Sequence, residues 1–87
     1  MVKAVAELFP VGEFLVDELE ARSWSQEEFA RLMGRPVEFV AEIISGERKL
    51  TDQTAAEIGK ALGTSAELWL NLQNDYLSWK QAQSKTA

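Results

Sequence analysis

Apolar residues recur along this chain at spacings of three and four, the period of helices that lie half in a core. Val11, Phe14, Leu15 and Leu19 form one such face, with Glu13, Asp17, Glu18 and Glu20 around the rest. They predict a first helix over Val11 to Ala21, with Pro10 and Gly12 marking its start. A second helix is predicted to open at Ser25, because Ser25 followed by Glu28 fits a capping box. Phe29, Ala30, Leu32 and Met33 supply its apolar side, and Gly34 stands where a left-handed residue ends a helix. A third helix is predicted from Pro36, a residue suited to a first helical position. It carries Val40, Ile43 and Ile44 and stops at Ser45-Gly46. A fourth begins at Thr51 as cap, buries Ala55, Ile58, Ala61 and Leu62, and ends at Gly63. A fifth opens at Thr64 or Ser65, with Glu67 completing a second capping box, and carries Leu68, Trp69, Leu72, Tyr76, Leu77 and Trp79. No strand pattern competes, so the expected fold is all-α with five helices.

Eighty-seven residues, 46% of them apolar, suit one small globular domain. The expected organisation is an N-terminal arm over 1–10, a helical domain over 11–81, and a flexible tail over 82–87, where the sequence turns small and polar. The arm has a helical pattern of its own through Val5, Leu8 and Phe9. Cysteine and histidine are absent, which removes disulfides, thiolate or imidazole metal sites, cysteine nucleophiles and histidine bases. No metal-ligand spacing appears among the acids, so neither an enzyme nor a cofactor is expected. No run of apolar residues is long enough for a membrane span, and the N-terminus lacks the core of a signal peptide. The expected location is the cytoplasm.

The stretch Gln26 to Ile43, QEEFARLMGRPVEFVAEI, combines four requirements of two helices crossing at a tight turn. Ala30 is small where the helices approach, Gly34 makes the turn, and branched Val40 and Ile43 pack the second helix back on the first. With the Ser25 cap and Pro36, this predicts a helix-turn-helix over about 25–45. The spacing points to the geometry and does not name a ligand, so an αα-hairpin without a nucleic-acid role is the alternative.

Two longer segments carry a resemblance. GEFLVDELEARSWSQEEFARLMGRPV and ISGERKLTDQTAAEIGKALGTSAELWLNLQNDY resemble the HigA-type antitoxins, or plasmid-maintenance antidote proteins, a branch of the phage-repressor-like helix-turn-helix proteins. LGTSAELWLNLQ is the most characteristic part, and the likeness covers roughly Val11 to Tyr76. It implies a five-helix repressor-like fold and a homodimer that binds double-stranded operator DNA, represses its own operon and neutralises a basic, HigB-like toxin.

In such folds the early third helix enters the major groove. The resemblance therefore implies that Val37, Glu38, Ala41 and Glu42 face DNA. Gln26 resembles the family's DNA-contacting glutamine, and Ser25, Arg35, Ser45, Arg48 and Lys49 lie where backbone phosphates are commonly met. The sequence departs from the family here, where small polar residues are usual. Glu38 and Glu42 stand one helical turn apart, and a carboxylate that accepts from cytosine N4 is otherwise repelled by a phosphate-lined groove. Phe39 suits either a thymine methyl or a partial core or protein contact. Between Ser25 and Lys49 there are five acids and four bases, and the whole chain has a formal charge of −5, so a basic footprint is missing. This leaves open a helix-turn-helix-shaped protein-interaction module with weak or no DNA binding.

Trp69, Tyr76 and Trp79 fall near one stripe of the fifth helix, and such aromatics are enriched at interfaces. They are the expected dimer contact, with Trp69 and Leu72 also suited to core packing. The acidic first helix suits either solvent or a basic partner such as the toxin.

Overall fold

The computed structural model describes residues 9–86, with side chains through Ala82. Its elements are α1 (Val11–Ala21), α2 (Gln26–Met33), α3 (Val37–Ser45), α4 (Asp52–Leu62) and α5 (Ala66–Thr86), with no strand among the described residues. All five expected helices are present. Of the N-terminal arm only Phe9 and Pro10 are described, so the helical pattern through Val5 and Leu8 lies outside the described residues.

The caps follow local chemistry. Ser25 Oγ accepts from the Glu28 N–H at 3.0 Å, and the Glu28 carboxylate accepts from the Ser25 N–H at 2.8 Å. The box therefore satisfies two donors at the start of α2. Gly34, at φ 73°, ends that helix in the left-handed conformation, and the Arg35 N–H reaches back to the Ala30 carbonyl at 2.9 Å. Thr51 caps α4 through the Thr54 N–H. Ser23 takes the same left-handed role after α1 (φ 57°), in a place where glycine is usual, and the Trp24 N–H closes onto the Leu19 carbonyl at 2.9 Å.

Three expectations are corrected. Pro36 is the cap before α3, with extended ψ 152°, and the first helical residue is Val37. The second capping box does not form. Ser65 caps α5 by accepting from the Leu68 N–H, which leaves Glu67 one position short of the reciprocal contact. The Thr64 hydroxyl instead accepts from the Trp69 indole N–H at 2.7 Å. The fifth helix also continues beyond residue 81 through Thr86, since no glycine or proline interrupts a run of ordinary helix formers. Pro10 caps α1 and Gly12 stands in its first turn, as expected, where Gly12 also packs against α3.

The core is a single cluster that includes Leu15, Leu19, Phe29, Ala30, Val40, Ile43, Ala55, Ile58, Leu62 and Trp69. α3 packs against α1 and α2, and α4 against α2 and α5. The α1–α3 crossing is so close that a Cβ on Gly12 would collide with the Ile44 backbone. At the other end, Gln73 is buried on α5 and clasps the backbone of Leu50. Its Oε1 accepts from the Leu50 N–H at 2.7 Å, and its Nε2 donates to the Leu50 carbonyl at 3.0 Å. This fixes the loop between α3 and α4. Arg22 similarly ties the end of α1 to the end of α4 by donating to the Leu62 carbonyl at 3.0 Å.

Because backbone cannot yield as a flexible side chain does, Gly12→Ala is expected to destabilise the fold by about 1–3 kcal/mol. Urea denaturation of the variant beside the parent chain checks this, and an unchanged midpoint would show that the α1–α3 crossing has slack.

Candidate nucleic-acid interface

The capping geometry of α2 and the burial of one edge of α3 decide what remains exposed. Val40 and Ile43 point into the core, so Glu38, Ala41 and Ser45 are exposed on the opposite edge, beside half-buried Glu42. Gln26 is exposed at the first position of α2. Val37 does not belong to the exposed set: it is half-buried and packs against the core cluster. Its backbone sits one residue after the α3 cap, where the first turn still faces the neighbouring helices.

The two arginines of this surface are held in a continuous network. Arg35 forms a fork onto Glu57 of α4, with Nε donating to Oε1 at 2.9 Å and a terminal nitrogen donating to Oε2 at 2.8 Å. Its guanidinium also lies 4.6 Å from the Phe39 ring centre. On the other side of the network, Arg48 lies 4.4 Å from the same ring and donates to Glu42 Oε1 through Nε at 2.9 Å. A second Arg48 nitrogen reaches that same oxygen at 2.7 Å. Phe39 therefore serves as a common stacking surface for two cations, an arrangement favoured by the ring's negative face. Of the roles Phe39 suited by its type, the partial core position is the one it occupies, with its ring presented to the arginines.

Ser45 Oγ lies 3.1 Å from both the Glu42 carbonyl and Glu47 Oε1, so it is occupied by its own turn. Lys49 is exposed and enters no ion pair among the described residues. The Ser25 hydroxyl is likewise engaged in its cap, but the residue is exposed at the helix start. Arg35, Glu42 and Arg48 are thus brought together around Phe39, while Gln26, Glu38, Ser45 and Lys49 are exposed on α2, α3 and the following loop.

Trp69 separates from the other two aromatics. It is 1% exposed and its indole N–H is satisfied by Thr64, so it belongs to the protomer's core and not to a dimer contact. Tyr76 and Trp79 are half-buried, with ring centres 5.9 Å apart. Along α1, Glu13, Asp17 and Glu20 are exposed, while Glu18 pairs with Arg22.

Two participants are absent from the sequence-based reading. Glu57 stands 22 positions from Arg35, and no spacing rule links them. Gln73 was legible in principle: it falls four residues after Trp69, on the buried side of α5, where a polar side chain needs a partner.

The helix-turn-helix family model matches residues 15–69. The chain belongs to the helix-turn-helix family. It is 30% identical over 74 residues to the uncharacterised HTH-type transcriptional regulator YddM of Escherichia coli (strain K12), covering 85% of this chain and 76% of that protein. Among solved structures it is similar to an addiction module antidote protein of the HigA family from Coxiella burnetii. That likeness has 32% identity and a TM-score of 0.79, over 92% of this chain and 91% of the other. It is also similar to the Pseudomonas aeruginosa antitoxin HigA, solved with the higBA promoter. Here the identity is 31% and the TM-score 0.77, over 88% of this chain and 84% of the other. The structural neighbours of this family member are thus HigA-type antitoxins, in agreement with the resemblance carried by LGTSAELWLNLQ.

The Arg35–Glu57 fork has a pH signature. The hydrogen bonds from Arg35 hold the Glu57 carboxyl below its ordinary value of 4.5. A depressed carboxyl stabilises the fold above its unfolded-state pKa, and that stability is lost as pH falls through the lowered folded-state value. Glu57→Gln is therefore expected to lower the melting temperature at pH 7, with the difference from the parent chain shrinking below about pH 4.5. Melting curves across that range test this, and a difference independent of pH would rule out the ion pair as its cause.

Proposed function

We propose that this chain is a DNA-binding transcriptional regulator of the HigA antitoxin type, acting in the cytoplasm as a dimer on its own operator and binding a cognate toxin. The observation that carries this is the exposed edge of α3 together with the exposed start of α2, flanked by ordered Arg35 and Arg48. It occurs on a fold shared with an antitoxin whose structure contains promoter DNA.

On this reading Gln26 and Glu42 face base edges, Glu38 stands on the same edge of α3, and Ser25, Arg35, Ser45, Arg48 and Lys49 serve the phosphates. Phosphate contacts position a protein and base contacts specify the site, so the two sets have separable consequences. Lys49, free of ion pairs among the described residues, offers its charge without breaking an internal contact. Arg48 must exchange or share Glu42. Two α3 helices from a two-fold dimer fit a palindromic operator, and Tyr76 and Trp79 are the side chains offered for that dimer. The exposed acids of α1, on a chain of net charge −5, suit a basic, RNA-binding toxin by electrostatic steering.

A protein-interaction module is the second reading. It is favoured by the fact that Arg35 and Arg48 are already paired with glutamates, while Glu38 enters no ion pair among the described residues.

Binding to the DNA upstream of the chain's own gene, compared with a scrambled duplex across a salt series, separates these readings. Specific binding that weakens with salt is expected, and Lys49→Ala is expected to lower the magnitude of the salt slope by about 1. A folded dimer with no promoter preference at low salt would sink the operator reading. The dimer itself is tested by analytical ultracentrifugation. Trp79→Ala is expected to shift the population toward monomer while the chain stays helical, and an unchanged dimer would place the interface elsewhere.

A further inference from the structure

The pairing of Arg48 with Glu42 leaves one carboxylate oxygen uncommitted. Both Arg48 nitrogens approach Glu42 Oε1, at 2.9 and 2.7 Å. Among the described residues nothing donates to Oε2. The Glu42 side chain retains 40% of its exposure and stands on the α3 edge that also carries Glu38 and Ala41. Its negative charge is met by a cation that Phe39 holds in place from the other side.

We propose that Glu42 is a specificity-determining residue that reads an exocyclic amino group, cytosine N4 foremost, through its unpaired Oε2. Arg48 and Phe39 act as positioning residues behind it. This rests on the operator-binding reading and deepens it.

The physical argument concerns charge and orientation together. A bare carboxylate entering the major groove meets phosphate repulsion, and it can accept from cytosine N4 only if its oxygen is aimed at the base edge. Arg48 offsets the charge and fixes the carboxylate by taking one oxygen, which leaves the other as a directed acceptor. Phe39 limits where the Arg48 guanidinium can go, since leaving Glu42 also means leaving the ring face. Glu38 has no such partner among the described residues. Its expected contribution is repulsion common to all sequences. The two glutamates, one turn apart and alike in type, thus have opposite roles: one selects and the other weakens.

Selection from a randomised duplex library, followed by binding to the recovered site and its single-base variants, tests this. The full chain is compared with Glu42→Gln, Glu38→Gln and Phe39→Leu, each checked for cooperative melting. The parent chain is expected to recover a defined site with a cytosine at one position of each half-site. Glu42→Gln is expected to move that single position toward adenine, because an amide suits the adenine edge. Discrimination for cytosine there would fall by roughly fivefold, the lower end for one base contact. Phe39→Leu is expected to broaden the same position only, and Glu38→Gln to tighten binding to all duplexes alike. A defined site recovered with the same base preferences by the parent and Glu42→Gln would overturn the role of Glu42 while leaving operator binding intact. Failure of the folded parent chain to recover any site would overturn the operator reading, and this inference with it.

Discussion

Burying one edge of α3 is the constraint on which the rest of this small protein depends. Val40 and Ile43 are almost fully enclosed, and each contributes on the order of 1.5–3 kcal/mol by leaving water. Their burial sets the helix's rotation about its own axis. It also demands close neighbours on both sides: Gly12 on α1, where no side chain fits against the Ile44 backbone, and Ala30 on α2. Once that edge is fixed, Glu38, Ala41, Glu42 and Ser45 have no choice but the opposite side. The candidate interface is what remains of α3 after the core has been satisfied.

The chemistry of that remaining edge is unusual for a surface that meets DNA, since it is acidic at two positions. Of the two, Glu42 is paired with Arg48, while Glu38 enters no ion pair among the described residues. Arg35 is anchored to α4, Arg48 is anchored to α3, and both lie against one phenylalanine ring. These pairs are partly exposed, so their contribution to stability is modest. Their effect is geometric: two long, flexible cations are held at defined places beside the helix that carries the contact edge. Lys49, and Glu13, Asp17 and Glu20 on α1, are exposed and enter no ion pair among the described residues.

α5 divides into two working parts. Trp69 and Gln73 face inward, one closing the core and the other holding the Leu50 backbone so that the loop carrying Arg48 and Lys49 leaves α3 in one direction. Tyr76 and Trp79, about one and two turns further along, lie together and only half-buried. Two tryptophans on one helix thus have different surroundings: Trp69 is enclosed in the core and Trp79 is only half-buried.

The sequence by itself determined the five helices, the Ser25 box, the Gly34 turn and most of the residues that fill the core, but it also placed Leu32 and Leu68 on apolar faces that the fold leaves exposed. Capping and periodicity act within a few residues of chain, so local pattern is enough to specify them. The same pattern made the helix-turn-helix legible and, through LGTSAELWLNLQ, the kinship with HigA-type antitoxins. It missed smaller local matters where two caps compete for one start, as Thr64 and Ser65 do before α5, and where Pro36 takes the cap before α3. Only the tertiary structure decided the pairing of Arg35 with Glu57, the stacking of two arginines on Phe39, the clasp of Gln73 on Leu50 and the withdrawal of Trp69 into the core. Each of these depends on the distance between separate elements, or on how a helix turns toward its neighbours. That geometry exists only after the core has closed, and residue spacing along the chain does not encode it.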